Sequence, residues 1–138
     1  MEQLNLPFRL GMDYEELEFD LEILPDRIQG YDSYIYLGDF NNFLNYSTDK
    51  IELLFRIDVL EGIIISYDNI PFIASERILA KLESLLGSLQ IVYEQDYKLY
   101  KFDYSENYQI CCYSNKNVTL IMLLIPSIAL RVLYSFLI

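Results

Sequence analysis

Two stretches of the chain place apolar residues at helical spacing, and most of the remainder places them at strand spacing. Tyr14, Leu17, Leu21 and Leu24 recur three and four residues apart, which predicts the buried stripe of a first helix. Asp13 and Glu16 stand at the N-cap and N3 spacing of a capping box, after Leu10-Gly11. Pro25 ends the run, because the residue before a proline is pushed out of the helical region. A second helix is expected from a Ser75 cap. It carries Ile78, Leu79, Leu82, Leu85 and Leu86 on one face, with Gly87 where a C′ glycine belongs.

Strands are predicted over residues 31–37 and 40–46, separated by Gly38-Asp39 as a two-residue turn. In residues 51–57, Ile51, Leu53, Phe55 and Ile57 alternate with Glu52, Leu54 and Arg56. A turn near 58–61 leads into a buried strand at 63–67, and Asp68-Asn69-Ile70-Pro71 breaks it. Further strands are expected over 89–93, 97–104, 108–113 and 118–125, with turns at 95–96, 105–107 and 114–117. The predicted fold is therefore an α+β single domain over residues 1–138. It comprises two pseudo-repeats, at about 10–70 and 72–125. Each is one helix followed by about four antiparallel strands, and a short apolar C-terminal helix lies in the tail at 126–138.

That tail carries a rival signal. Residues 118–138 hold one charge, Arg131, in twenty-one residues, close to the length of a membrane span. Pro126 divides the run, and Ser127, Arg131 and Ser135 fall on one narrow polar stripe. A helix packed on the sheet or in a dimer seam is one reading, and a span or interfacial anchor is another. An unstructured tail is the third.

Charge changes the picture most in the first half. Residues 1–67 carry fourteen Asp and Glu against four Lys and Arg, and residues 68–138 carry seven against six, so −10 of the net −11 lies in the first half. Such a field speeds encounter with basic partners and repels nucleic acid and anionic lipid. On the expected first helix, Glu15, Glu18 and Glu22 form one exposed row, and Glu16 and Asp20 another, with no Lys or Arg at i+4. Like charges at that spacing cost roughly 0.2–0.5 kcal/mol each. The row is either a solvated face or one that an external row of cations compensates. Tyr31, Tyr34, Tyr36 and Tyr46 lie in the same half, where rings with polar tips suit an interface or a core equally.

Candidate chemistry is sparse. The chain has no histidine, which removes Ser-His and Cys-His nucleophile pairs and the commonest general base and zinc ligand. Five glycines form no phosphate loop, and Asp13 to Asp26 lacks the grammar of a calcium loop. Carboxylate pairs such as Glu15 and Glu18 arise by chance among twenty-one acids, so a glycosidase is not inferred. No enzyme activity, cofactor or metal is expected. Cys111 and Cys112 are adjacent, so a disulfide between them would be strained and core cysteines are expected instead. With no basic, apolar leader at Met1–Asn5, a reducing, cytoplasmic location follows as an expectation.

Residues 10–25, from Leu10-Gly11-Met12-Asp13-Tyr14-Glu15-Glu16-Leu17 to Leu24-Pro25, resemble the helix-opening pattern of β-lactamase-inhibitor-protein-like and small outer-membrane-lipoprotein folds. Size, acidity and Tyr/Ile-rich strands resemble those of small acidic immunity proteins of bacterial toxin systems, including contact-dependent inhibition. That resemblance implies a single cytoplasmic α+β domain that neutralises a toxin domain by tight binding, and it transfers no site residues. The expected function is an immunity-type inhibitor that occludes the phosphate-binding groove of a basic toxin domain, a nuclease in the first instance. Glu15, Glu18, Glu22, Asp26 and Asp32 would supply carboxylates, and Tyr31 and Tyr34 the desolvated anchors. No nucleic-acid partner is expected, since a basic groove is absent. The alternatives are a membrane-associated accessory protein anchored through residues 118–138, and a regulatory subunit that dimerises through the tail.

Overall fold

The computed structural model describes residues 4–102 and 107–137. Eight strands make one antiparallel sheet: β1 (Leu21–Leu24), β2 (Asp32–Tyr36), β5 (Lys50–Arg56), β6 (Val59–Asp68), β7 (Gln90–Glu94), β8 (Lys98–Phe102), β9 (Gln109–Ser114) and β10 (Val118–Leu124). Their order is β1-β2-β5-β6-β10-β9-β8-β7, and β3 (Asn42–Phe43) with β4 (Tyr46–Ser47) forms a separate small hairpin. Two helices, α1 (Phe72–Leu86) and α2 (Ala129–Leu137), complete the regular structure of the described residues.

The expectation of two helix-and-strand repeats does not hold, because among the described residues no α-helix precedes the first four strands of the sheet. Residues Tyr14–Glu16 and Glu18–Asp20 are single 3-10 turns, and Leu21–Leu24 pairs with β2, Leu21 opposite Tyr36 and Leu24 opposite Ser33. The local start signal is real: the Asp13 N–H donates to Glu16 Oε2 at 3.1 Å. It does not propagate. A helix of about a dozen residues is marginal without tertiary support, its acids would repel one another, and the sheet offers Leu21–Leu24 a partner strand in β2. The apolar stripe still turns inward, with Leu17 buried and Tyr14 and Leu21 half-buried against the core.

The expected hairpin of residues 31–37 and 40–46 is also absent. Leu44 and Asn45 adopt φ of 54° and 73°, so the second run folds on itself as β3–β4, with Phe43 opposite Tyr46. Strand β2 instead lies between β1 and β5. The later elements sit close to expectation. Helix α1 starts at Phe72 rather than after Ser75, and Gly87, at φ 100°, closes it by donating to the Glu83 carbonyl at 2.9 Å. Residues 103–106, where the expected strand over 97–104 ends and the turn over 105–107 begins, lie outside the described residues.

The central pair β6 and β10 is apolar on both faces, as a strand buried on both sides must be. One face carries Leu53, Phe55, Ile63, Ile65, Tyr67 and Ile121 and is covered by α1 together with the N-terminal segment that places Leu4, Phe8, Met12 and Leu17. The other carries Leu54, Ile64, Leu120 and Met122 under α2, which buries Ala129 and Val132. Cys111 and Cys112 alternate between these two cores. Burial pushes their thiols up, to about 11 and about 12, far from thiolate reactivity at neutral pH.

Two members of the C-terminal polar stripe, Arg131 and Ser135, make contacts. Arg131 donates to the Gln29 carbonyl, and Ser135 Oγ accepts from Arg27 Nη1 at 3.2 Å. Leu130 and Tyr134 face outward. Residues 118–137 thus divide between a central strand and a nine-residue helix, and among the described residues no helix is long and apolar enough to cross a membrane.

Candidate functional site

Arg56 and Val59 pair across a two-residue turn, Ile57-Asp58, that joins β5 to β6. Both turn residues have left-handed φ, 48° and 63°, as a type I′ turn requires. Asn, Asp and Gly take that conformation at low cost, whereas a β-branched Ile there is a genuine outlier. Ile57 is nevertheless 83% exposed, so burial of its side chain does not offset the strain. The turn is held by its neighbours: the Asp58 carbonyl accepts from the Tyr14 N–H at 2.7 Å, and Leu60 and Met12 pair through N–H to carbonyl at 2.9 Å. Strain that surrounding structure over-determines is a pointer to function.

That same bond places Tyr14. Its ring meets Tyr34 at 5.2 Å between centroids and Phe55 at 5.7 Å, and Tyr34 meets Phe55 edge-on at 5.7 Å. Asp32 lies opposite Phe55 in the β2–β5 register, and Ile23 lies opposite Tyr34 in β1 while remaining 69% exposed. The Tyr34 hydroxyl is pushed above its usual value, first by burial and then by Tyr14, Asp32 and Asp58 around it. The result is an apolar and aromatic surface (Ile57, Tyr14, Tyr34, Ile23) with the carboxylates of Asp32 and Asp58 beside it. Acid and ring lie within one patch at an open sheet edge.

The expected site residues do not share one surface. Glu15 and Glu18 are exposed on successive 3-10 turns, and Glu22 is exposed on β1 opposite Ile35, on the face away from Tyr34. The expected row of Glu15, Glu18 and Glu22 is therefore broken, because the helix that would align them is absent. Asp26 is exposed in the connection from β1 to β2. Asp32 and Tyr34 fall in the patch.

Tyr31 is buried, and its hydroxyl donates to Glu61 at 2.5 Å. Glu61 is the extra residue of a β-bulge, since Leu54 pairs with Gly62 and Phe55 with Leu60. Arg56 Nε also donates to Glu61, at 3.0 Å. Burial alone would push the Glu61 carboxyl up, yet the hydrogen bonds from Arg56 and Tyr31 outweigh it and hold the carboxyl below its usual value. Burial and that same bond raise the Tyr31 hydroxyl. Tyr31 is thus part of the frame that sets the hairpin.

A second cross-link steadies this end of the sheet. Arg27 Nε and Nη2 donate to the two oxygens of Glu52 at 2.7 Å each, a bidentate pair with the Glu52 side chain only 3% exposed. The Arg27 guanidinium also lies 4.1 Å from the centre of the Phe136 ring of α2.

The sequence places Tyr14 in a helix stripe, Ile57 on a strand and Asp58 at the start of a turn, and it marks none of these, nor Ile23, as a site residue. One signal was available: Ile57-Asp58 between Arg56 and Val59 has the length of a hairpin turn without its usual Asn-Gly chemistry. Among the described residues no cluster of three or more His, Cys, Asp or Glu is placed to hold a metal ion. Compared with known proteins, the chain matches no family model, no curated protein and no solved structure.

Proposed function

We propose that this chain is a binding protein whose patch around the β5–β6 turn docks a basic protein partner. In its specific form it is an immunity-type inhibitor that occludes the phosphate-binding groove of a toxin nuclease. The observation that carries the reading is Ile57, an exposed apolar residue held in a costly backbone conformation beside Asp58, whose carbonyl binds the Tyr14 N–H and whose charge, with that of Asp32, acts on Tyr34. Exposed apolar anchors surrounded by charge suit an interface in which a desolvated centre supplies affinity and the rim supplies steering. The carboxylates would occupy positions that phosphates take in a nuclease groove. Free, buried Cys111 and Cys112 fit a reducing cytoplasm, the compartment proposed for this role.

The test is affinity capture from the host with the wild-type chain and with Asp32→Asn/Asp58→Asn, followed by mass spectrometry and a nuclease assay. Support is a basic nuclease domain retained by the wild type, released by the variant, and inhibited one to one. Its association rate should fall as salt rises. Equal retention by wild type and variant, or a retained protein whose activity is untouched, would defeat the reading.

A further inference from the structure

At the other end of the sheet, a cavity of about 380 Å³ opens under the N-terminal half of α1, between the β7–β8 and β9–β10 turns. That volume is within the usual range for small-molecule sites, about 300–1,000 Å³. Three hydroxyls from three elements meet in its wall: Ser75 of α1, Ser114 of β9 and Thr119 of β10. Their oxygens are 3.2 Å (Ser75–Ser114), 3.1 Å (Ser75–Thr119) and 3.4 Å (Ser114–Thr119) apart. Each hydroxyl has one proton to donate and two lone pairs to accept with. A closed ring of three uses all three protons internally and leaves three acceptor positions over. Thr119 is 2% exposed, and Ser75 and Ser114 are half-buried.

The remaining wall is mixed: Phe72, Leu79 and Tyr100 supply its apolar and aromatic side, and the turn residues Gln95, Asp96 and Asn115 a polar one. Phe72 is 70% exposed, an apolar ring standing at the rim instead of in the core. Charge in the lining balances, Glu76 and Asp96 against Lys98 and Lys116, and Lys98 Nζ lies 3.6 Å from Glu76 and 4.9 Å from the centre of the Phe72 ring. A half-exposed pair of this kind is worth under about 1 kcal/mol, so it is a weak barrier to entry.

We propose that this cavity binds a small, neutral, amphipathic molecule with an aromatic body and one N–H or O–H donor directed at the Ser75–Ser114–Thr119 ring. The aromatic body lies against Phe72, Leu79 and Tyr100, and its donor takes a lone pair that the ring leaves unused. The cavity lies away from the Ile57 patch and shares no residue with it, so either site stands without the other.

The probe is indole, with indene as the same shape lacking the N–H. The full-length chain, labelled with ¹⁵N, is titrated with each and the amide shifts are mapped. Indole should give saturable shifts confined to residues lining the cavity, and indene should bind about three- to tenfold more weakly, the effect of one net hydrogen bond. Thr119→Val, which keeps the shape and removes a hydroxyl, should narrow that ratio. Ser75→Leu, which fills the cavity, should remove the shifts while the thermal transition remains. The proposal is overturned by an absence of saturable shifts up to the solubility limit of indole, by shifts centred elsewhere, or by shifts that persist in folded Ser75→Leu. Equal affinity for indole and indene overturns the donor assignment. Should Ser75→Leu fail to fold, the wild-type shift map and the indole-to-indene ratio decide alone.

Discussion

At the β1 end of the sheet, β1 pairs with β2 through four residues without a break in register, and at the β7 end Val92 bulges out between Ile91 and Tyr93. A bulge twists an edge strand away from further pairing, which guards an open edge against unwanted partners. The β7 end therefore tolerates exposed Ile91 and Val92. The β1 end has no such bulge, and acids stand along it at Glu18, Asp20 and Glu22. Its neighbouring hairpin is fixed by side-chain cross-links, Arg27–Glu52 and Tyr31–Glu61–Arg56, where the β7 end relies on stacked rings, Tyr93 on Tyr97 at 4.3 Å. The difference separates an edge that is made unattractive by its backbone from one that is made selective by charge.

Breaking the cross-link at the β1 end should have the largest effect. Arg27→Ala leaves the Glu52 carboxylate buried with only Lys50, at 3.5 Å, beside it, and should destabilise the chain by about 3–5 kcal/mol. Chemical unfolding with the denaturant slope held constant measures it. A loss below about 1 kcal/mol would mean that the pair is dispensable.

The strained turn tests the same end in the opposite direction. Ile57→Asn relieves a left-handed β-branched residue and should stabilise the fold by about 1 kcal/mol, read as a raised unfolding midpoint. Partner binding should weaken in the same variant. A gain in stability with unchanged binding would make Ile57 a tolerated defect and not an anchor.

Acidification sharpens the comparison through Glu61. Its folded carboxyl is held below the unfolded value, so the folded state takes up a proton less readily than the unfolded one. The stability this contributes is fully present above the unfolded carboxylate range and is lost as pH falls through the lowered folded value. Urea midpoints between pH 6 and 3 should fall for the wild type, and less steeply for Glu61→Gln.

The smallest effect is expected at the other end. Lys98→Ala removes a half-exposed pair with Glu76 and should change stability by no more than about 0.2–1 kcal/mol. A loss near that of Arg27→Ala, measured in the same way, would erase the distinction between the two ends.

Much of the second half was legible. Ile78 and Leu82 are the fully buried positions that the spacing of α1 indicates, and Gly87 ends the helix where its sequence position suggests. Strands β7 to β10 lie within two residues of expectation over the described residues, since their turns carry Asn, Asp and Ser between apolar runs. The first half was less legible because its local signals disagree with its global ones. Asp13 and Glu16 signal a helix start, while Leu21–Leu24 has a better use as an edge strand. The candidate site suffered most, because Tyr14, Tyr34, Ile57 and Asp58 meet through pairings between segments far apart in the chain.

By itself the sequence determined the concentration of acid in the first half, the inward side of Tyr14, Leu17 and Leu21, and the strand character of β5, β6 and β10. These follow from composition and short-range periodicity, which are properties of a local window. Only the tertiary structure decided that residues 14–20 are turns and not a helix, that β2 leaves the 40–46 run for β5, and that Glu15, Glu18 and Glu22 part company. The backbone of a marginal helix is satisfied equally well by a neighbour, as the Tyr14 N–H is by the Asp58 carbonyl. Which option prevails depends on pairing energies summed over the whole sheet.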